Sequence, residues 1–517
     1  MRVTRLRIGN FREGGELRLE LDGKPGSDPA LSFLVGPNGA GKSRVLEAVG
    51  RIFSHLSAGL PPGMDFDLEY ELRGKTVLVT TREPSNEDPS SGERRLRRIG
   101  AWLLVAEGPV ERWRGEHIQD TWPSNLDTLL PRRVLGLSTG PASRLDWALR
   151  RSVLETAAQR LDPAWADAPP AEIAPDEWNA YVASEQKMLG NELQRINEEP
   201  RCIALSGGEL RLAMLALLSH PDATAGSDAV RDHVLGLAGL HPNESLKAFT
   251  FEITADWRER LPKSLHQGFE GMIRQASRRV EVDPPVPIGT DDSVEPDHRV
   301  VFELSSDLKW WIGESADTPL IWFDQLLRWR SSGAIRSIRL VLRKRDHEGL
   351  LLDDDFSDGE ILMAGRYGLL LLLRGHEDCL VLFDEPETHF NDRWKVDLVY
   401  DLARLLAGNS AHVMIASHSD LTLSDADRTD VHVLECGDRD EVPRHPPVSP
   451  FAAGREEITT QVFRAAGGSG RHAVEIVDEA LKSGDPARMR ETLERVGPGF
   501  HRFRLQYALR EHERDAP

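Results

Sequence analysis

Cysteine is scarce: three occur in 517 residues, at Cys202, Cys379 and Cys436, and they show no metal-ligand spacing. A reducing cytoplasm is the simplest compartment for such a chain. Long apolar runs are missing as well. None approaches the roughly 18–20 residues that span a bilayer, and the longest candidate, ILMAGRYGLLLLL at 361–373, is broken by Arg366. No membrane partner is expected. The first residues, MRVTRLRIGNF, begin directly in an alternating strand pattern, so no signal peptide is expected either. Positive charge is not in excess; the net charge is −20. A surface engaging nucleic acid along its whole length is usually basic, so any DNA contact must use a local patch. No repeat of fixed period is visible. With 40% apolar and 29% charged residues, the chain is globular in composition and long enough for two or three domains.

The strongest local signal is GPNGAGKS, residues 36–43, between an apolar run at 31–35 and a helical RVLEAV. Strand, glycine-rich loop and helix N-terminus stand in the order that phosphate binding needs. Backbone N–H groups of Gly36, Pro37, Asn38, Gly39, Ala40 and Gly41 (proline excepted as a donor) can cradle phosphate oxygens, helped by the helix dipole. Gly36, Gly39 and Gly41 let the chain wrap where a side chain would clash. Lys42 can bridge the β- and γ-phosphates, and the Ser43 hydroxyl can ligate Mg2+. A nucleoside triphosphate ligand follows.

Three further elements fit around that nucleotide. CLVLFDEPETHF, residues 379–390, is an apolar strand ending in adjacent carboxylates. Asp384 would hold magnesium through water, and Glu385 would polarise the attacking water. HVMIASHSD, residues 412–420, is another apolar strand, ending at His418, which could sense the γ-phosphate. FSDGE, residues 356–360, precedes a helical stretch. There Ser357, Asp358, Gly359 and Glu360 form a helix start able to bind a γ-phosphate. It is expected to be too remote to touch its own chain's nucleotide and to complete the site of a second subunit. A similar LSGGE stands at 205–209, but no strand ending in DE follows it at short distance, so FSDGE is the preferred second-subunit element.

Together these elements resemble the ABC-type (AAA family) ATPases, in the non-transporter branch of RecF, SMC and OLD-like proteins. The likeness covers residues 1–50 and 299–437, including NFR at 10–12. It implies an α/β ABC-ATPase head, a P-loop NTPase, with ATP and Mg2+ as cofactors and a head-to-tail homodimer or higher even oligomer. It makes Glu385 the catalytic glutamate, Asp384 the magnesium aspartate and His418 the switch histidine. Two departures stand out: Phe356 and Asp358 replace the usual Leu and Gly of the signature, and no glutamine loop is identifiable, Gln119 having an uninformative context. DEPETHFNDRW followed by IASHSD looks most like ATPase subunits of prokaryotic antiphage systems such as Septu, PARIS and restriction-associated ATPases.

The expected organisation is a first head lobe at 1–145, a mainly helical insertion and linker at 146–298, a second head lobe at 299–437 and a helical C-terminal region at 438–517. Arg94, Arg95, Arg97 and Arg98 form one basic cluster, and residues 328–345 a second, with Trp329 nearby. Both read more simply as solvated strand edges. Trp310 and Trp311 read as core cover, and HEDC at 376–379 as no metal site. No nuclease motif is evident. The leading functional reading is a slow regulatory ATPase of an antiphage complex, controlling a separate nuclease or toxin. A RecF/SMC-like repair clamp on DNA is the alternative, and a nucleotide-gated scaffold that hardly turns over is a third.

Overall fold

The computed structural model describes residues 1–9, 11–12, 15–21, 29–82, 102–107, 126–138, 144–161, 187, 190, 201–221, 229–241, 244–282, 297–376, 378–435, 443–463 and 470–514. The Arg94–Arg98 cluster, Gln119, Asn10 and Cys436 lie outside them.

Strands β1 (Arg2–Gly9), β2 (Leu17–Glu20), β4 (Asp65–Leu72), β5 (Lys75–Thr80) and β6 (Trp102–Glu107) form an antiparallel sheet in the order β2-β1-β4-β5-β6. The β4–β5 turn uses Arg73 and Gly74, both at positive φ, as a type I′ two-residue hairpin requires. A second sheet is wholly parallel: β3 (Ala30–Val35), β7 (Arg133–Ser138), β8 (Cys202–Leu205), β14 (Cys379–Asp384), β15 (Ala411–Ala416) and β16 (Val431–Val433), in the order β16-β3-β15-β14-β7-β8. All six residues of β14 and of β15 are buried, as expected of strands covered on both faces.

The helix Lys42–Ala58 lies between these sheets. Its Val45, Val49, Ile52 and Phe53 share one core with Val3, Leu6 and Ile8 of β1 and with Leu380, Leu382 and Met414 of the parallel sheet. The sheets are also tied by a buried imidazole. The Val3 N–H donates to His412 Nδ1 at 3.0 Å, leaving Nε2–H to donate to Ser32 Oγ at 2.9 Å.

The third sheet is antiparallel: β9 (Leu246–Ile253), β10 (Arg278–Val282), β11 (Asp297–Glu303), β12 (Ile335–Leu342) and β13 (Leu351–Leu352), ordered β10-β11-β9-β12-β13. Phe249, Phe251 and Phe302 line one face, Phe249 and Phe302 stacking at 4.9 Å. The helical reading of residues 146–298 is therefore corrected in part. β8 joins the parallel sheet, and β9 is the central strand of this third one. The alternation in LKAFTFEI buries every second residue toward its C-terminal end. A border at 298/299 falls inside the third sheet, where β9 pairs with both β11 and β12.

The chain forms two compact units, Met1–Ala452 and Ala453–Pro517. The second contains the helices Arg455–Gln461, Arg471–Ser483, Pro486–Arg495 and Phe500–Arg514, with its own core of Val477, Ala480, Met489, Leu505 and Leu509. Among the described residues, no helix is long and apolar enough to cross a membrane.

Candidate nucleotide site

The order of the parallel sheet builds the site. β15 lies between β3, which leads into the phosphate loop, and β14, which ends at Asp384. Because all three run the same way, their C-terminal ends meet at one edge, where ligands of open α/β sheets bind. GPNGAGKS leaves the sheet side by side with Asp384-Glu385 and Ser417-His418, which lie more than three hundred residues later in the sequence.

Gly36, Gly39 and Gly41 all have positive φ. At Gly36 the requirement is double, because a Cβ would come 2.1 Å from the Leu434 carbonyl oxygen. Lys42 Nζ is folded back onto the loop, donating to the carbonyls of Gly36 at 2.8 Å and Pro37 at 3.1 Å. Ser43 Oγ donates to Asp384 Oδ1 at 2.8 Å. Burial pushes the Asp384 carboxyl above its usual range, the Ser43 bond opposing and the Glu385 charge adding to the shift. A hydroxyl and a partly desolvated carboxylate side by side are hard oxygen donors. They suit Mg2+, which keeps water and phosphate oxygens as its other ligands. Among the described residues no group of three or more His, Cys, Asp or Glu forms a protein-only metal site, and Cys379 of HEDC is buried.

Glu385 lies just past β14, where its N–H donates to the Ala416 carbonyl at 2.9 Å. Its φ is +53°, in the left-handed region. This turns the side chain out of the sheet edge, where its Oε1 lies 3.2 Å from His418 Nδ1. Both are partly exposed, 39% and 52%, as groups meeting a ligand would be. The sequence reading missed the group beneath them. Glu387 is buried, accepts from Ser417 Oγ at 2.5 Å and from the His418 N–H at 3.3 Å, and so holds the histidine's backbone. Arg366 lies nearby, its guanidinium bonded to the Pro386 carbonyl and 5.2 Å from the Phe390 ring centroid. Burial lowers it to about 10, and the Glu387 charge counters that. The signal was a third acidic residue in DEPET, which only the fold shows to be buried.

Both serine-led helix starts are real caps. Ser357 Oγ accepts from the Glu360 N–H at 3.3 Å and Glu360 returns the bond to the Ser357 N–H at 3.0 Å, capping Asp358–Leu372. Gly359 sits where a Cβ would meet the His389 carbonyl at 2.5 Å, placing FSDGE against the DEPETHF turn; Asp358 is exposed. Ser206 caps Gly207–Ser219 in the same way with Glu209. There, however, Arg330 Nε donates to Glu209 Oε1 at 2.8 Å and its guanidinium occupies the space over Gly208. Burial opposes the Glu209 charge, but Arg330 and Ser206 hold the carboxyl below its usual range. The two helices cross closely at Gly365, where a Cβ would lie 2.7 Å from Leu210 Cβ.

Of the NFR triplet, Arg12 pairs with Glu47 of the helix that follows the phosphate loop, at 2.5 Å. In the basic stretch 328–345 four of seven cations are ion-paired: Arg330 with Glu209, Arg336 with Asp297, Arg339 with Asp354 and Lys344 with Glu360. Trp329 is fully buried against Phe269 and Trp322, so it is no stacking platform. Trp311 packs on Trp322, but Trp310 is 67% exposed and does not cover core, because it falls on the outer face of the helix Ser306–Ser315.

A glycine-rich loop between a parallel strand and a helix, with carboxylates on another strand of the same sheet, defines an α/β fold of the P-loop nucleotide-binding class. No protein-family model matches the chain. A stretch of it is 40% identical over 92 residues, 16% of this chain, to the DNA replication and repair protein RecF of Erwinia tasmaniensis; the match spans 23% of that protein's length. The fold is similar to the SMC head bound to the C-winged helix domain of ScpA (12% identity, TM-score 0.31, 87% of this chain and 97% of that one). It is also similar to the SMC head domain from Thermotoga maritima (12%, 0.30, 84% and 94%).

Proposed function

We propose that this chain is an ABC-type ATPase that binds ATP with Mg2+ and hydrolyses it slowly, as a switch rather than to make a product. The observation that carries the reading is the convergence of Lys42, Ser43, Asp384, Glu385 and His418 at one sheet edge, with Ser43 bonded to Asp384 and Glu385 beside His418. Magnesium would neutralise phosphate charge, held by Ser43 and, through water, Asp384. Glu385 accepts a proton from the attacking water, and His418 orients Glu385 and reads the γ-phosphate. Ser357 and Gly359 serve the site of a second copy in a head-to-tail dimer. FSDGE is favoured over LSGGE here because Arg330 covers Gly208.

The RecF match favours a nucleic-acid clamp as the use of this switch. The partial pairing of the basic stretch and the net charge of −20 favour the other reading, an antiphage complex in which the ATPase restrains a separate nuclease or toxin.

The test is turnover and native mass of the full chain. Glu385→Gln should lower the hydrolysis rate about 10²–10⁴-fold while trapping an ATP-dependent dimer, and Lys42→Ala should abolish nucleotide binding. Unchanged turnover in Glu385→Gln would remove that residue from the mechanism. DNA retained by the trapped dimer selects the clamp; a fixed-ratio nuclease co-purifying from the native host selects the defence complex.

A further inference from the structure

A basic cleft lies in the third sheet, away from the phosphate loop. A cleft of about 240 Å³ opens between β9–β11 and the helix Lys263–Arg274. Its floor is apolar, from Ile253, Ile273 and Val300. Its rim is cationic: Arg258, Arg274 and Arg279 all line it against one carboxylate, Glu270. Glu270 is shared, lying 3.1 Å from Arg258 and 3.8 Å from Arg274. Arg279 makes no ion pair among the described residues. His298 also lines the cleft, and its Nδ1 is shielded from solvent with no hydrogen-bond partner. Glu281, its cross-strand neighbour, does not line the cleft.

A surplus of two positive charges over an apolar floor, in a chain of net charge −20, is not what ion pairing or edge protection demands. Arg278 of the edge strand β10 and Arg299 of its neighbour β11 lie on the opposite face of the sheet from Arg279, where Arg278 guards the edge. The arrangement is what a phosphate with a flat ring attached requires. Arginine forks match phosphate oxygens. Arg258 already lies over Trp257, 4.5 Å from the ring centroid, and is largely exposed. Its outer face is open to a second ring, since bases stack on guanidinium planes. The volume is below the roughly 300 Å³ at which drug-sized pockets begin, so it takes one ring and one phosphate. We infer that this cleft binds a phosphomonoester of mononucleotide size, with Arg274 and Arg279 on the phosphate and Arg258 under the ring.

The experiment is calorimetric titration of the full chain carrying Lys42→Ala, which silences the phosphate loop, with 5′-UMP, inorganic phosphate and uridine. UMP should bind once per chain and about tenfold more tightly than either fragment. Arg279→Ala and Arg274→Ala should each weaken it about tenfold. Arg299→Ala, on the other side of the same sheet edge, should leave it unchanged, with thermal melts confirming that each variant folds. The proposal is overturned by absent UMP binding, by phosphate binding as well as UMP, or by Arg299→Ala acting like Arg279→Ala. Competition by a 5′-phosphorylated trinucleotide, but not by its unphosphorylated form, supports the site with a nucleic-acid end as the source. No competition by either supports it with a free nucleotide.

Discussion

Glu387 shows how much a single buried carboxylate does at this sheet edge. One of its oxygens accepts from both Ser417 and the His418 N–H, while its charge offsets that of buried Arg366. Glu387→Ala should therefore lower kcat about tenfold or more with little change in KM for ATP, because it loosens the histidine rather than the phosphate loop. It should also cost about 3 kcal/mol of stability by leaving a buried charge uncompensated. Glu387→Gln restores an acceptor but not the charge, so turnover should recover more than the melting temperature. A parallel series of kcat, KM and Tm checks this split. His412 supplies a pH signature. Burial lowers it to about 3, and His432 is likewise lowered by burial, to about 4. Both are neutral in the fold and take up a proton more readily when unfolded. Stability is thus full above the ordinary histidine value near 6.5 and is lost as pH falls toward these folded values, by about 1 kcal/mol per pH unit for each group. Urea midpoints between pH 7 and 4 should fall accordingly, and His412→Asn should shallow the slope.

At the scale of elements, two capped helices start with nearly the same words, and their caps alone do not distinguish them. Ser206→Ala and Ser357→Ala should each cost about 1 kcal/mol in thermal or urea unfolding. Only Ser357→Ala should also reduce turnover and ATP-dependent dimer formation, since Arg330 covers the other helix start. Loss of turnover in Ser206→Ala instead would exchange the two assignments. These helices, the phosphate loop and the strands ending in Asp384 and Ala416 were legible because each announces itself locally: an apolar run, then a turn of fixed chemistry. Glu387 was not, because nothing local says which carboxylate of DEPET turns inward. Trp310 was misplaced for a related reason. Which face of a short helix meets the core is decided by distant partners, here Trp322, which takes Trp311 and leaves Trp310 outside.

For the whole molecule, the chain order hid the third sheet. β9 recruits β11 and β12 across intervals that include a proline- and aspartate-rich stretch, so a reader of composition breaks the chain where the sheet is continuous. The position of β15 between β3 and β14 is equally non-local, although the motifs on all three were plain. The C-terminal unit, by contrast, closes a core of its own. A chain ending at residue 452 should accordingly keep a cooperative melt and bind ATP with unchanged affinity, measured by calorimetry. Loss of either would mean that the last helices are needed to fold or fill the nucleotide site.

The left-handed backbone at Glu385 has an evolutionary corollary. An L-residue other than asparagine or aspartate is uncomfortable there, whereas glycine is at ease. Mutational drift at this codon therefore has a downhill direction that relaxes the turn and deletes the carboxylate in one step. Copies of this fold that no longer use that carboxylate should accumulate glycine at the position and be sturdier proteins than those that keep it.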